Sequence, residues 1–258
     1  MLNFQTLKSL VLEAGRMLCD AQVHRDDIMA KSGHQNFVTL YDEKVQHFLE
    51  QAFDREWPEY GFYGEENDRQ RANPATDQVF IVDPIDGTSN FIHQIPFSAV
   101  CVAVARKGQV EQAIVYNPFL EELYEAQRGQ GAFLNGEKLQ VPDLNLADGL
   151  FAVGMSPYNA TLVKQTLDSI QRLMPEVTDI RRLGSAALDI CHVASGRQVG
   201  FLEWELQPWD YAAASLIAEE AGVRISNPYG HKLQLGQPSG VLVAGPRAYE
   251  QSLKILNP

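Results

Sequence analysis

The order of hydrophobic patterns in this sequence predicts an α/β layered sandwich built from two packed halves. Three observations carry that reading. Two stretches near the start place apolar residues at helical spacing. Residues 98–141 read as short strands joined by glycine turns. Beyond residue 150, strands and helices mix without strict alternation, which favours packed layers over a barrel. With 258 residues and 45% hydrophobic composition, the chain is long enough for one large core or two adjoining ones.

In chain order, Leu7, Val11, Ala14 and Leu18 recur at helical spacing and open the protein with an amphipathic helix. A second helix carries Val45, Phe48, Leu49, Ala52 and Phe53, with Thr39 as its N-cap and Asp42 in its first turn. "VFIVD" (79–83) reads as a buried strand that delivers Asp83 at its carboxyl end. From 98 to 141 turns are expected at Lys107-Gly108, at Gly129–Gly131 and at Asn135-Gly136, so this block is an antiparallel meander. The glycines of "RGQGAFLNG" follow no strand-to-helix transition, so they read as turn glycines and not as a nucleotide loop.

The polar stretch "PDLNLADG" (142–149) is the expected boundary, giving halves of 1–144 and 145–258. A strand (150–154), a helix (159–173), a strand near 178–183 and a helix near 185–195 follow. "VGFLEW" reads as a strand. "PWDYAAASLIAEEAG" reads as a helix, with Pro208 near its start and Gly222 just past its end. "GVLVAG" and a last helix close the chain.

The net charge of −12 argues against nonspecific binding to nucleic acid or to an anionic membrane. It leaves room for an anionic small substrate, because bound cations reverse the local field. No apolar run approaches the roughly 18 residues of a membrane span. "MLNFQTLKSLVLEAG" lacks a basic segment ahead of an apolar block and is read as mature. Cys19, Cys101 and Cys191 are far apart in hydrophobic patterns, and are expected as buried free thiols in a reducing cytoplasm. The six histidines show no metal-ligand spacing, and Arg181-Arg182 reads as a short structural basic pair.

"IVDPIDGTSNF" (81–91) carries the chemistry. Asp-Pro and Asp-Gly are common turn formers, so Asp83 could merely end a strand and Asp86 could cap a helix. The spacing does not suit a calcium loop, which needs acids at alternate positions. The sharper reading is a Mg²⁺ site facing a phosphate. Mg²⁺ takes hard oxygen ligands and shares them with substrate phosphates. Gly87 and Thr88 would open a helix whose N–H groups attract phosphate. Glu65 and Glu66 in "GEEN", and Asp210 in the first turn of its helix, are candidate partner acids.

At these residues the sequence resembles the inositol monophosphatase family of Mg²⁺-dependent, Li⁺-sensitive phosphatases. The matching pieces are "VTLYD" (38–42), "GEE" (64–66), "DPIDGTSNF" (83–91), "GSAALD" (184–189) and "EWELQPWDYAA" (203–213), in family order over nearly the whole chain. The resemblance implies an αβαβα sandwich and two or three Mg²⁺ ions per subunit. Glu65, Asp83 and the Ile85 carbonyl would hold the first ion, and Asp83, Asp86 and Asp210 the second. A third, weaker ion would sit near Glu65. Thr88 and Asp42, with Glu65, would orient and activate the attacking water. Gly87 and Thr88 would hold phosphate, while Asp86, Gly184, Ser185, Ala186 and Glu203 would flank the rest of the substrate. The implied reaction is in-line hydrolysis of a phosphomonoester without a phosphoenzyme. Its substrate would be inositol-1-phosphate or another small phosphorylated polyol or sugar. Fructose-1,6-bisphosphate, histidinol phosphate and 3′-phosphorylated nucleotides are the alternatives, and a non-catalytic sugar-phosphate-binding or regulatory protein is the alternative of another class. A cytoplasmic homodimer is the expectation carried by the resemblance.

Two departures from the family pattern stand out. Asn36 occupies a position where many relatives carry Asp. "GMSPYN" (154–159) differs from the usual phenylalanine-containing version and is expected near the substrate.

Overall fold

The computed structural model describes residues 2–22, 28–32, 36–66, 72–157 and 159–257, with 28–32 and 36–38 described by backbone alone. The elements run α1 (Phe4–Cys19), β1 (Ile28–Ser32), β2 (Asn36–Thr39), α2 (Leu40–Glu56), β3 (Gly61–Gly64), β4 (Gln78–Asp86), α3 (Thr88–Ile92), β5 (Ala99–Arg106), β6 (Gln109–Asn117), β7 (Glu122–Gln127), β8 (Gly131–Leu134) and β9 (Glu137–Lys138). They continue as β10 (Leu150–Val153), α4 (Ala160–Leu173), β11 (Asp179–Arg181), α5 (Ala186–Ala194), β12 (Gly200–Leu206), α6 (Pro208–Ala221), β13 (Arg224–Ser226), β14 (Ser239–Ala244) and α7 (Pro246–Leu256). The Asn36 and Tyr158 side chains lie outside the described residues.

Five layers result. Strands β3 to β9 form one sheet in sequence order, and a second sheet has the order β11-β10-β12-β14-β13. Helices α1 and α2 cover one face of the large sheet, α5 and α6 lie between the sheets, and α4 and α7 cover the outer face of the small one. The α/β layered sandwich is therefore observed, in the order αβαβα.

Helix character follows from layer. The α1 helix buries Leu7, Val11, Ala14 and Leu18, the stripe its spacing dictates. The α6 helix touches both sheets and is apolar nearly all round, burying Ala212, Ala213, Ala214, Leu216, Ile217 and Ala218. Its small residues let two sheets approach one helix. The meander turns fall where expected, with positive φ at Lys107-Gly108 and Asn135-Gly136. Strand β9 ends at Lys138 and β10 begins at Leu150, and we propose this interval as the boundary between the halves.

Two expectations need correction. Cys101 and Cys191 are buried free thiols, but Cys19 is exposed at the end of α1, with its Sγ 3.5 Å from the Pro118 carbonyl oxygen. The "VFIVD" strand does not stop at Asp83; β4 runs on to Asp86, because a bulge lets it keep pairing with β5 past Pro84. Among the described residues no helix is long and apolar enough to cross a membrane.

Candidate active site

The bulge in β4 explains the spacing of the two aspartates. Asp83 pairs with Cys101 and Asp86 with Ala99, so Pro84 and Ile85 together oppose Val100. In a regular strand, residues three apart point to opposite faces. Here the faces switch. Val79 and Ile81 pack toward α5 and α6, Phe80 and Val82 pack toward α1 and α2, and Ile85 joins the second group. The extra residue thus returns Asp86 to the side that Asp83 faces.

Other elements bring further acids to this point. Strand β3 pairs in parallel with β4, Gly64 opposite Val82, and this sets Glu65 beside Asp83. The Glu65 N–H donates to the Val82 carbonyl at 3.2 Å. Asp210 is the third residue of α6, where its Oδ2 accepts from the Gln207 N–H at 2.7 Å, and Pro208 fills the first position. Asp83 Oδ1 accepts from the Ile85 N–H at 2.9 Å. Asp86 is held from the other half of the chain. Ser185 Oγ donates to Asp86 Oδ2 at 2.5 Å, the Ala187 N–H to Oδ2 at 2.8 Å and the Ala186 N–H to Oδ1 at 3.3 Å.

Burial and mutual repulsion raise the carboxyls of Asp83, Asp86 and Asp210. Asp83 is pushed well above the ordinary range by burial first, then by Glu65, Asp86, Asp210 and Asp42. Asp210 is raised by burial and by Glu65 and Asp86. It is half-buried and lines the cavity described below. Asp86 reaches only about 6, because burial is partly offset by the hydrogen bonds from α5.

The donor set suits a hard divalent cation. Asp83, Asp86 and Asp210 form no ion pair with Lys, Arg or His among the described residues. Buried carboxylates without counter-charge are costly, and a dication removes that cost. Among the described residues no three His, Cys, Asp or Glu side chains stand in a metal-holding arrangement, so the fit rests on the chemistry of the donors.

Thr88 and Asp42 lie on the far side of the bulge. The Asp42 Oδ2 closes the capping box of α2, accepting from the Thr39 N–H at 2.7 Å and Thr39 Oγ1 at 2.6 Å. Its Oδ1 is left toward Thr88, whose Oγ1 lies 3.3 Å from it and 3.0 Å from the Ile85 carbonyl oxygen. Gly87 has φ 88°, and a Cβ there would meet the Phe97 carbonyl oxygen at 3.0 Å and the Gly184 carbonyl oxygen at 3.2 Å. Backbone conformation and close packing therefore require this glycine, beyond any approach of phosphate. The helix it starts, α3, has only five residues, so its dipole is that of little more than one turn.

A cavity of about 150 Å³ opens beside this cluster. Asp86, Gly184, Ser185, Ala186, Glu203 and Asp210 line it, all of them positions singled out from the sequence. Burial pushes the Glu203 carboxyl up to about 8, with Asp86 raising it and Arg182 lowering it. The cavity is also lined by Gly154, Met155, Arg182, Asp189 and Glu205. Of these the sequence signalled only the 154–159 segment. Asp189 lay inside the "GSAALD" match without a role. Arg182 was read as half of a structural pair, which holds for Arg181 alone, paired with Asp179. His93 is exposed. Trp204 and Trp209 are packing residues, the first donating its Nε1–H to Ser169 Oγ at 3.1 Å, the second with its ring centroid 5.5 Å from that of Tyr63 and the two rings tilted by 41°.

Comparison with known proteins agrees with this architecture. Residues 4–257 match the model of the inositol monophosphatase family. Two curated relatives are each 36% identical: an inositol-1-monophosphatase of Mesorhizobium japonicum, covering 94% of this chain and 91% of that one, and the Nus factor SuhB of Escherichia coli K12, covering 93% and 90%. The extragenic suppressor protein suhB of Bartonella henselae superimposes with TM-score 0.87, at 31% identity and 98% coverage of both chains. An IMPase/NADP phosphatase whose structure is complexed with Mg²⁺ and phosphate gives TM-score 0.82, at 27% identity over 97% of this chain and 92% of that one. A match spanning the chain from its first helix to its last places the protein in the inositol monophosphatase family.

Proposed function

We propose that this phosphomonoesterase hydrolyses a small phosphorylated polyol or sugar, with inositol-1-phosphate as the leading candidate, using Mg²⁺ held by Glu65, Asp83, the Ile85 carbonyl, Asp86 and Asp210. The observation that carries the reading is the group of carboxylates around the β4 bulge, Asp83 and Asp86 buried, with no cationic side chain among the described residues paired to Asp83, Asp86 or Asp210. Bound there, Mg²⁺ would lower the pKa of the attacking water and neutralise the phosphoryl oxygens.

The chain's own residues do the rest. Asp42 Oδ1 accepts the Thr88 hydroxyl proton, which leaves the lone pairs of Thr88 Oγ1 to accept from the attacking water and fix its direction. The backbone N–H groups of Gly87 and Thr88 hold the phosphate at the start of α3. Glu203, with its carboxyl raised to about 8, donates to a substrate hydroxyl at neutral pH and, once ionised, accepts from one. Gly184, Ser185 and Ala186 form the wall against which the carbon skeleton rests. Li⁺ would inhibit by taking a Mg²⁺ position, and the working unit would be a homodimer, both by likeness to the family.

The test is phosphate release with and without Mg²⁺ from inositol-1-phosphate, fructose-1,6-bisphosphate, histidinol phosphate and a 3′-phosphorylated nucleotide. Mg²⁺-dependent release, greatest from inositol-1-phosphate, is expected. A relative that bears the name of a Nus factor supplies a second reading, a regulatory role without turnover. Metal and sugar-phosphate binding with no phosphate release from any of the four would favour it.

A further inference from the structure

Asp189 is a buried acid that the fold leaves half used. It is the fourth residue of α5 and is 1% exposed. The helix start does not need it. A capping acid stands three residues after its cap, and Leu188 holds that place behind Ser185. The first three N–H groups of α5 go to Asp86 and to Ser185 Oγ. No Lys, Arg or His forms an ion pair with Asp189 among the described residues. Its side chain has one hydrogen bond, from Gln198 Nε2 to Asp189 Oδ1 at 3.1 Å. Gln198 is itself buried, and its Oε1 is enclosed without a partner among the described residues. This amide is committed to aiming one carboxyl.

The second oxygen of that carboxyl has a different setting. Asp189 Oδ2 makes no hydrogen bond among the described residues, yet it is not shut in as Gln198 Oε1 is. The residue lines the candidate cavity. Glu203 lines the same cavity from β12, the strand on which α5 packs, and the Asp189 charge helps to raise its carboxyl. A cavity of about 150 Å³ has the room of a six-membered carbon ring. Carboxyl oxygens on its wall suit the hydroxyls of such a ring, which they accept as hydrogen bonds. Enclosing a carboxyl without a counter-charge is costly, and a hydrogen bond from a substrate hydroxyl offsets part of that cost.

We propose that Asp189 is a specificity-determining residue that accepts a ring hydroxyl of the substrate through Oδ2, so that Asp189 and Glu203 together recognise two hydroxyls of a cyclic polyol phosphate. This rests on the phosphatase reading above and deepens it by naming what selects the hydroxylated ring.

The experiment measures, in Mg²⁺, kcat and KM for inositol-1-phosphate and the competitive inhibition constant of cyclohexyl phosphate, which has the ring and the phosphate without the other hydroxyls. The proteins are the wild type, Asp189→Ala and Asp189→Asn. In Asp189→Ala, KM should rise about tenfold, the worth of one hydrogen bond to a charged group, with kcat changed less. The constant for cyclohexyl phosphate should stay within twofold. Asp189→Asn keeps the acceptor for Gln198 and should show a smaller rise in the same direction. It carries the test alone if Asp189→Ala fails to fold. A change in pocket shape would weaken both ligands together. That outcome, or an unchanged KM, would overturn the assignment. If the wild type releases no phosphate from inositol-1-phosphate, the substrate reading fails first. Calorimetric binding of the same two compounds then decides: tighter binding of inositol-1-phosphate, lost in the variants, supports the role, and any other result ends it.

Discussion

Two helix N-termini meet beside Asp86 and are used in opposite ways. The nine-residue α5 spends its free N–H groups on the protein itself. Ser185 caps it, and Ser185 Oγ, Ala186 and Ala187 all donate to the Asp86 carboxylate on the other sheet. The five-residue α3 has Gly87 at its cap and no side chain bonded to its first amides. One end thus ties the two layers together and keeps Asp86 partly ionised. The other, under the proposed function, is left for an anion from outside. The difference shows that a helix start is not a ligand site by default, since the longer dipole here serves the fold.

The harshest test of this contrast is Asp86→Asn. The amide oxygen still accepts from Ala187, so the melting temperature should move by a few degrees at most. Loss of the charge proposed to hold Mg²⁺ should lower kcat about a thousandfold, some 4 kcal/mol of barrier. Phosphate release from inositol-1-phosphate in saturating Mg²⁺ is the measurement. Activity within tenfold of wild type would reduce Asp86 to an acceptor for α5.

Next in size is the effect of Mg²⁺ on stability. Asp86 at about 6, Asp189 at about 7 and Glu203 at about 8 all lie above the values they take unfolded. The folded protein therefore binds these protons more tightly, and the stability they contribute is complete below about pH 4. It is lost as pH rises through 6 to 8. Mg²⁺ holds its ligands ionised, so its stabilisation should grow across that window. At a hundredfold excess over Kd it is worth about 2.7 kcal/mol, or about 5–10 °C in a chain of this size. Melting curves at pH 5.5 and pH 8, with and without Mg²⁺, check both sign and size. A Mg²⁺ effect that is zero, or equal at both pH values, would remove the metal from Asp86.

Ser185→Ala loosens the α5 end alone. It deletes the donor to Asp86 Oδ2 and the cap on the Leu188 N–H, 3.3 Å from Ser185 Oγ. A cost of about 1 kcal/mol in unfolding free energy is expected from the lost cap. Activity should fall by about ten- to a hundredfold, as when the partner of a metal ligand is removed. Chemical denaturation and steady-state rates separate the two effects. If stability falls and the rate does not, α5 tunes only the fold.

The sequence made one side of this contrast more legible than the other. Asp83, Asp86, Gly87 and Thr88 stand within six consecutive residues, so the pattern itself carried the chemistry, and helical periodicity found α1 and α2 while sequence pattern placed α5 and α6 to within a residue or two. The bulge was not legible. Nothing in "DPID" says that β4 keeps pairing with β5 past Asp83, because that pairing is a tertiary event. Cys19 was misread because a helix-end position in an apolar pattern can lie on either side of the stripe. Arg182 and Asp189 escaped notice for a similar reason. Each reaches the cavity only through tertiary packing, Arg182 from the chain that leaves β11 beside β10 and Asp189 from α5 packed on β12.

The smallest expected effect belongs to Gly154→Ala, and it tests the cavity beside the α5 end. A Cβ at residue 154 would sit 1.8 Å from Glu203 Oε2 and 2.9 Å from the Glu203 Cβ. Gly154 has no positive φ, so the backbone accepts alanine, and the conflict falls on the Glu203 side chain. The carboxyl would have to swing away from the position where the proposal has it meet a substrate hydroxyl. Loss of one such hydrogen bond is worth about 1 kcal/mol, so KM for inositol-1-phosphate should rise roughly fivefold. The reaction centre around Asp83 and Thr88 is untouched, so kcat should change less than KM. Glu203→Gln supplies the comparison, because the amide keeps the shape and a donor. If Gly154→Ala lowers kcat and spares KM, Glu203 acts on the chemistry and not on the substrate's hydroxyls. The cavity would then have to be read as part of the reaction centre that Asp86 and α5 hold in place.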